Sequence, residues 1–404
     1  MNFSEWNKYK LGELADITSS KRIFLADYTS VGIPFYRSKE IIQKSLGESL
    51  NEILFISEER YSEIKNKYGV PQNGDILISA VGERAGIPYV VKNDGDFYFK
   101  DGNLIWLRKI DKRLNSNYLY HWIKSNEGKG KIESLMIGSA QKALTIIGLK
   151  HFEICIPNII TQQRIASILC SLDDKIELNR QTNKTLEAIT QTLFKETCLP
   201  KGEELPEGWN IKKLGDILES KGGTTPSTKN DEFWNGEYHW ATPKDLSNLT
   251  VPVLLSTERL ISAKGLKQIS SGLLPIGTLL MSSRAPIGYF AISQIPVAIN
   301  QGFIALNGVE VSNLFLLNWL KINLEKIKSM GNGSTFLEIS KTVFRSIEII
   351  VPNNSILNNF EEIANPIFQK IVVNERETQT LTTLRDSLLP KLMSGEIDVN
   401  ISNE

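Results

Sequence analysis

The sequence predicts an α+β protein of two similar globular heads and two long helices that pair as an antiparallel coiled coil, giving one chain an internal pseudo-two-fold. Three observations predict it. The first copy opens Trp6-Asn7-Lys8-Tyr9-Lys10-Leu11-Gly12-Glu13-Leu14 and the second opens Trp209-Asn210-Ile211-Lys212-Lys213-Leu214-Gly215-Asp216-Ile217, an offset of 209 − 6 = 203 residues. Near each copy's end, Gly138-Ser139 through Phe152-Glu153-Ile154-Cys155-Ile156-Pro157 matches Gly333-Ser334 through Ile347-Glu348-Ile349-Ile350-Val351-Pro352, now offset by 352 − 157 = 195, so 203 − 195 = 8 residues are lost between the two frames. Each copy is then followed by an apolar pattern with steps of three and four. The period is far above the roughly 20 to 50 residues of a solenoid unit, so the repeat is a duplicated domain. Two similar heads on one body suit a bipartite target.

Residues 1–158 read as the first head. A glycine turn at Gly74 followed by Asp75-Ile76-Leu77-Ile78-Ser79 predicts a strand, and Tyr118 to Lys124 predicts a helix. Residues 159–200 read as the first long helix, with a heptad seam at Ile165, Leu169, Leu172, Ile176, Asn179, Asn183, Leu186 and Leu193. The second head, 201–353, repeats the pattern with Thr278-Leu279-Leu280-Met281-Ser282 after Gly277, and a helix from Leu314 to Lys321. Residues 354–404 carry the second long helix and a tail, with a seam at Ile363, Ile367, Ile371, Asn374, Thr378, Leu381 and Leu388. Each run of about 40 residues makes a rod of roughly 60 Å at about 1.5 Å per residue, long enough to space two heads. Pairing the two stripes buries both, and the pseudo-symmetry makes the pair antiparallel. Asn179 and Asn374 share one seam position, where a polar residue fixes register at some cost in stability.

Composition narrows the function classes. The 404 residues include 46 basic and 46 acidic side chains, so the whole-chain field neither advertises nor excludes nucleic acid, and a DNA binder of this charge needs local basic clusters. No run of about 18 apolar residues and no signal-peptide pattern at Met1-Asn2-Phe3-Ser4-Glu5 is present, which predicts a cytoplasmic protein without a membrane partner. Cys155, Cys170 and Cys198 are too scattered for a disulfide framework or a zinc site and are expected to be buried as small apolar residues.

Catalytic motifs are missing. There is no Pro-Pro pair for an adenine-methyltransferase loop; Asn365-Pro366-Ile367-Phe368 lacks the second proline and is expected at a helix entry. Gly128-Lys129-Gly130-Lys131 lacks Walker spacing, and Gly331-Asn332-Gly333-Ser334 lacks the third glycine of a dinucleotide loop. His121, His151 and His239 stand without a nucleophile or ligand cluster nearby in sequence and read as structural. Together these absences favour a binding protein over an enzyme.

Several strings in order carry a family resemblance. The end, Leu384-Arg385-Asp386-Ser387-Leu388-Leu389-Pro390-Lys391-Leu392-Met393-Ser394-Gly395-Glu396-Ile397, is the strongest. Others are the two openings, Gly32-Ile33-Pro34-Phe35-Tyr36-Arg37-Ser38, Gly223-Thr224-Thr225-Pro226 with Trp234 and Trp240-Ala241-Thr242-Pro243-Lys244-Asp245, Ser282-Ser283-Arg284-Ala285-Pro286-Ile287-Gly288, and Asn300-Gln301-Gly302-Phe303. Over essentially its whole length the chain resembles the specificity (S) subunit of type I restriction-modification systems. The resemblance implies that each head is a target recognition domain reading one half of a split sequence in double-stranded DNA, with the helices as a ruler for the unread gap. It further implies that the helix regions dock two modification subunits, which carry S-adenosylmethionine and methylate adenine, and that restriction subunits using ATP and magnesium can join. No cofactor, metal or catalytic residue is then expected in this chain. The alternative is a coiled-coil scaffold whose paired heads bind protein or glycan.

Guanine is read best by bidentate Arg and adenine by Asn or Gln, with Lys, Ser and Thr also reaching base edges from loops. In the family strings and turn-rich segments this selects Arg22, Arg37, Lys39, Ser79, Arg84, Asn103, Gln141 and Lys142 in the first head, and Thr225, Thr228, Trp240, Thr242, Lys244, Arg284, Gln301 and Ser334 in the second. Trp234 and Trp240 fit core aromatics better than stacking platforms, because duplex readout needs no stacking. Arg37 aligns with Ala241, a difference that unlike half-sites would require.

Overall fold

The computed structural model describes residues 6–48, 50, 52–138, 142–202, 204–284, 286–333 and 337–399. They form two compact units, residues 1–177 with 381–404, and residues 178–380. Each unit contains one head and parts of both long helices.

The repeated strings prove to be the two ends of each head, paired with one another. In the first unit Asn7–Lys10 pairs antiparallel with Glu153–Ile156, and in the second Asn210–Lys213 pairs with Glu348–Val351. The backbone N–H after each first strand continues the ladder, Leu11 to Phe152 O and Leu214 to Ile347 O. The Leu-Gly step is repeated because two helices meet there: a Cβ on Gly12 would stand 2.9 Å from Lys150 O, and one on Gly215 would stand 3.2 Å from Arg345 O.

Between these ends each head folds as mixed α and β structure. The first has an antiparallel sheet in the order Asp16–Thr18, Leu104–Arg108, Ile76–Ser79, Pro88–Val90, and a second sheet in which Ile33–Tyr36 runs parallel to Tyr98–Phe99. The second head shares the centre of both: Leu218–Gly222, Phe303–Gly308, Leu279–Ser282 and Phe290–Ser293 lie side by side, with Val253–Leu254 added as a parallel fifth strand, and Trp234–Ala241 runs parallel to Val297–Ile299 in a sheet of three strands where the first head has four. Both predicted helices form, as Ser116–Lys124 and Asn313–Ile322. Each is capped by a side-chain oxygen, Asn115 or Ser312, that accepts a backbone N–H at the third helical residue. The shift in offset is spread through the connections, from 282 − 79 = 203 at the paired serines to 303 − 104 = 199 one strand later and 332 − 137 = 195 at the isolated bridges.

The long helices are Ile159–Cys198 and Asn354–Met393, each an unbroken 40 residues. They pack together antiparallel. In the second unit Asn179 meets Thr378 while Phe194 meets Phe360, so one chain number falls as the other rises. Asn179 Nδ2 reaches Thr378 Oγ1 at 3.4 Å, and Asn374 Nδ2 donates to Asn183 Oδ1 at 2.8 Å. Because 374 − 179 and 378 − 183 both equal 195, each contact is the image of the other under the repeat, the mark of a local pseudo-two-fold. In the first unit Arg385 Nη1 binds Asp173 Oδ1 at 2.8 Å.

Each head's core is closed by the far end of the other repeat's helix. Leu392 and Met393 join Leu14, Leu149, Ile165 and Leu169 in the first unit, and Phe194 and Cys198 join Leu214, Phe315, Phe344 and Phe360 in the second. Within the closing string, Leu392 and Met393 are therefore core of the first head and Leu388, Leu389 and Ile397 pack against them, while Leu384 is exposed. Ile165, Leu169, Ile176, Asn179, Ile371 and Asn374 are buried as the seam requires, and Leu172, Leu186, Leu193, Ile367, Leu381 and Leu388 are half-buried.

Three expectations are corrected. Ile363 is exposed, and the buried stripe instead takes Phe360, Ala364 and Phe368, because the head's own core pulls that turn of the helix around. Pro366 lies inside the helix, 366 − 354 = 12 residues past its first residue, on an exposed face where the carbonyl it deprives of a partner can meet water. Cys155 is exposed, since Ile154 and Ile156 take the inward positions of its strand, and only Cys198 of the three cysteines is buried.

Candidate nucleic-acid interface

In the first head, five segments converge where the strands end. Lys100 N donates to Tyr36 O at 2.9 Å, bringing the turn 100–103 beside the start of helix Ser38–Leu46. Ala80 N donates to Asn103 O, Gly82 N to Lys142 O and Leu144 N to Ala80 O, so the loop after Ser79 and the segment around Lys142 join the same end. Arg22 closes the group through Asp101, Nε to Oδ2 at 3.0 Å. Arg22, Lys39, Arg84, Asn103 and Lys142 are all exposed there, with Lys21 and Lys100, so a neutral chain acquires a local basic cluster.

The second head builds the same end with other side chains. Asn300 N donates to Ala241 O, Ser283 N to Gly302 O and Ile339 N to Ser283 O. Thr225 and Gln301 meet at 2.6 Å, Lys244 pairs with Glu258 at 2.8 Å, and half-buried Arg284 stands 3.7 Å from Glu338. Thr225, Thr228, Lys244 and Gln301 are exposed.

The bonds set the true equivalences. Tyr36 and Ala241 each accept from the residue that follows the parallel strand, so Arg37 corresponds to Thr242 and the alignment of Arg37 with Ala241 is wrong by one residue. Both residues are helix N-caps whose backbone N–H is held by a carboxylate three residues on, Glu40 at 2.8 Å and Asp245 at 2.7 Å. Arg37 spends its guanidinium on Glu40 as well. Burial works to raise the Glu40 carboxyl, and Arg37 outweighs it, holding the group below its ordinary value. The two loop arginines also part company. Arg84 O and Pro286 O accept from the equivalent serines, whereas Arg284 shares with Val81 the isolated bridge to the later segment.

Two selected residues lie under the surface. Ser79 is fully buried, its hydroxyl donating to Arg84 O and accepting from Ile87 N, and unselected Ser282 does the same for Pro286 O and Tyr289 N. Trp240 is buried edge-to-face against Trp234 at 5.1 Å, and its Nε1 donates to Thr224 O, holding the segment that carries Thr225. Both sit under the loops because strand ends point inward where the heads' cores continue. Gln141 and Ser334 lie outside the described residues. Arg259, exposed and stacked 3.5 Å over Trp234, was not selected because it belongs to no recognisable string.

One constellation resembles a nucleophilic triad. His121, buried in the first unit, stands 3.6 Å from Cys170 Sγ and 4.0 Å from Asp173 Oδ2. Burial pushes the thiol up and drives His121 down to about 4, against the pull of Asp173, whose carboxylate is taken by Arg385. A neutral thiol beside a weak base is not an activated nucleophile. Among the described residues no cluster of His, Cys, Asp and Glu could hold a metal ion, and no helix is long and apolar enough to cross a membrane.

Comparison with known proteins agrees with this geometry. The family model described as type I restriction modification DNA specificity domain matches twice, over residues 3–188 and 206–381. The chain is 25% identical over 481 aligned positions to the type I restriction enzyme HindI specificity subunit of Haemophilus influenzae, covering 98% of this chain and 100% of that one. It is 38% identical over 199 residues to the MjaIX specificity subunit of Methanocaldococcus jannaschii, an alignment covering 45% of each chain. The crystal structure of the type I restriction-modification system S subunit from M. genitalium superposes with a TM-score of 0.64 at 19% identity, over 97% of each chain, and supports the fold.

Proposed function

Because the chain belongs to the type I restriction-modification DNA specificity family, we propose that its two heads read the two halves of a split sequence in double-stranded DNA, through the exposed side chains gathered at the strand ends. One observation carries the proposal. Two backbone frameworks that share four strands in the same order, one parallel pair and equivalent loop-closing bonds display different hydrogen-bonding groups, which is what reading two unlike half-sites demands. Phosphate contacts suit Lys39, Lys142 and Lys244, and base edges suit Arg22, Arg84, Asn103, Thr225, Thr228, Arg284 and Gln301.

Type I specificity subunits work with methyltransferase subunits, and in this reading two of them dock on the duplicated helix regions, one per half-site. S-adenosylmethionine, and ATP with magnesium where restriction subunits join, then belong to those partners, while this chain orients the DNA and performs no chemistry. The paired helices set the unread gap. Adding or removing a few residues in either helix is expected to change the tolerated gap and leave both half-sites unaltered.

The test is co-expression with the neighbouring modification subunit, followed by sequencing that maps methylated adenines across the host genome. A split motif with one methylated adenine in each half is expected. A stable complex that leaves no such motif would return the chain to the scaffold reading.

A further inference from the structure

In each head an exposed side chain is hydrogen-bonded to a residue on the turn after the parallel strand, Arg22 to Asp101 and Thr225 to Gln301, and the two pairs occupy equivalent places with different chemistry. Strand register establishes the equivalence. Thr18 faces Trp106 and Lys221 faces Ala305, two residues beyond Leu104 and Phe303, which face the equivalent serines. Counting forward, Lys21 corresponds to Thr224 and Arg22 to Thr225, both at an offset of 203. The first residue of each couple is pinned. Lys21 N donates to Tyr98 Oη at 2.7 Å, and Trp240 Nε1 donates to Thr224 O at 3.2 Å. The second is presented: Arg22, its side chain 70% exposed, gives Nε to Asp101 Oδ2, and Thr225 gives its hydroxyl proton to Gln301 Oε1.

We propose that the couples Arg22–Asp101 and Thr225–Gln301 are the corresponding specificity elements of the two heads, the first reading a guanine in one half-site through Arg22 and the second an adenine in the other through Gln301, which stands in the place of Asp101. This rests on the DNA-recognition reading above. With Nε engaged by Asp101, the two terminal nitrogens of Arg22 remain as a fork matched to guanine O6 and N7. Asp101 also repels phosphate, which turns the guanidinium from the backbone towards base edges. Thr225 occupies one lone pair of Gln301 Oε1, leaving the other lone pair and both Nε2 hydrogens for adenine N6 and N7. A side chain held by a neighbour has already lost rotamer freedom, so less is lost on binding.

The experiment uses the complex of this chain with its methyltransferase partner and a duplex library in which each half-site position is varied singly, sequencing the bound fraction. Arg22→Ala should lower discrimination at one G·C position of one half-site by roughly ten- to a hundredfold, leaving the other half-site unchanged. Arg22→Lys, which keeps the charge and loses the fork, should relax the same position with overall affinity retained. Gln301→Ala should relax one A·T position of the other half-site. Uniform weakening across all sequences would make Arg22 a phosphate contact and overturn its assignment, as would unaltered profiles in the variants or relaxation of one half-site by both. A wild-type complex without sequence preference would instead refute the DNA-recognition reading itself.

Discussion

Replacing Asn374 with alanine tests the polar layer on which the helix pairing turns. Asn374 and Asn183 are each about 1% exposed, and the Asn183 side-chain oxygen accepts a 2.8 Å bond from Asn374 Nδ2. Truncating Asn374 leaves that oxygen buried without a donor, at a cost of about 1 to 3 kcal/mol. For a unit of this size each kcal/mol lowers Tm by roughly 2 to 4 °C, so a fall of roughly 2 to 12 °C is expected by differential scanning calorimetry. Replacing both residues with leucine removes donor and acceptor together, and should recover most of the loss, since an apolar pair of similar volume leaves nothing unsatisfied. The double variant should then be more stable than the sum of Asn374→Leu and Asn183→Leu by at least about 1 kcal/mol. Purely additive effects, or a single variant that melts like the wild type, would refute the claim that these asparagines satisfy one another.

Phe194→Ala, a change in the first repeat's helix, should destabilise the second head by about 3 to 5 kcal/mol, because Phe194 packs edge-to-face on Phe315 and Phe360; hydrogen exchange should show the loss in residues 210–351. Burial holds His121 at about 4 against an ordinary 6.5, so the unfolded chain takes up a proton that the folded chain refuses. Its contribution, on the order of 3 kcal/mol at most, is present above pH 6.5 and lost as pH falls towards 4, and His121→Gln should flatten Tm against pH across that window. Gly223→Ala would place a Cβ 1.8 Å from Ile299 O, displacing the segment that carries Thr225, so binding to one half-site should be lost while the other is still read in a library selection.

Duplication, helix pairing and family were legible in the sequence because they are written locally. The opening and closing strings are strand and helix signals with close-approach glycines, and the seams are periodic over about 40 residues, long enough to stand above chance. The candidate interface was only partly legible. Residue type and turn context selected Arg22, Thr225, Arg84 and Gln301, yet the same signals selected Ser79 and Trp240, which are buried. A serine at a strand end looks alike whether it faces solvent or ties a loop from beneath, and only the fold of residues far along the chain decides.

The amino-acid order alone determined that there are two heads, two long helices and an antiparallel seam with asparagines at its matched positions. Tertiary structure decided which residues correspond between the heads. The connections differ in length, so linear alignment drifted by one residue at Arg37 and hid the matching of Arg22–Asp101 with Thr225–Gln301. It decided also that each head is completed by the other repeat's helix end, Phe194 in one and Leu392 in the other. Local patterns report on neighbours within a few residues, whereas hydrogen-bond register and core closure join positions about 80 to 380 residues apart, and burial there sets what each side chain is free to touch.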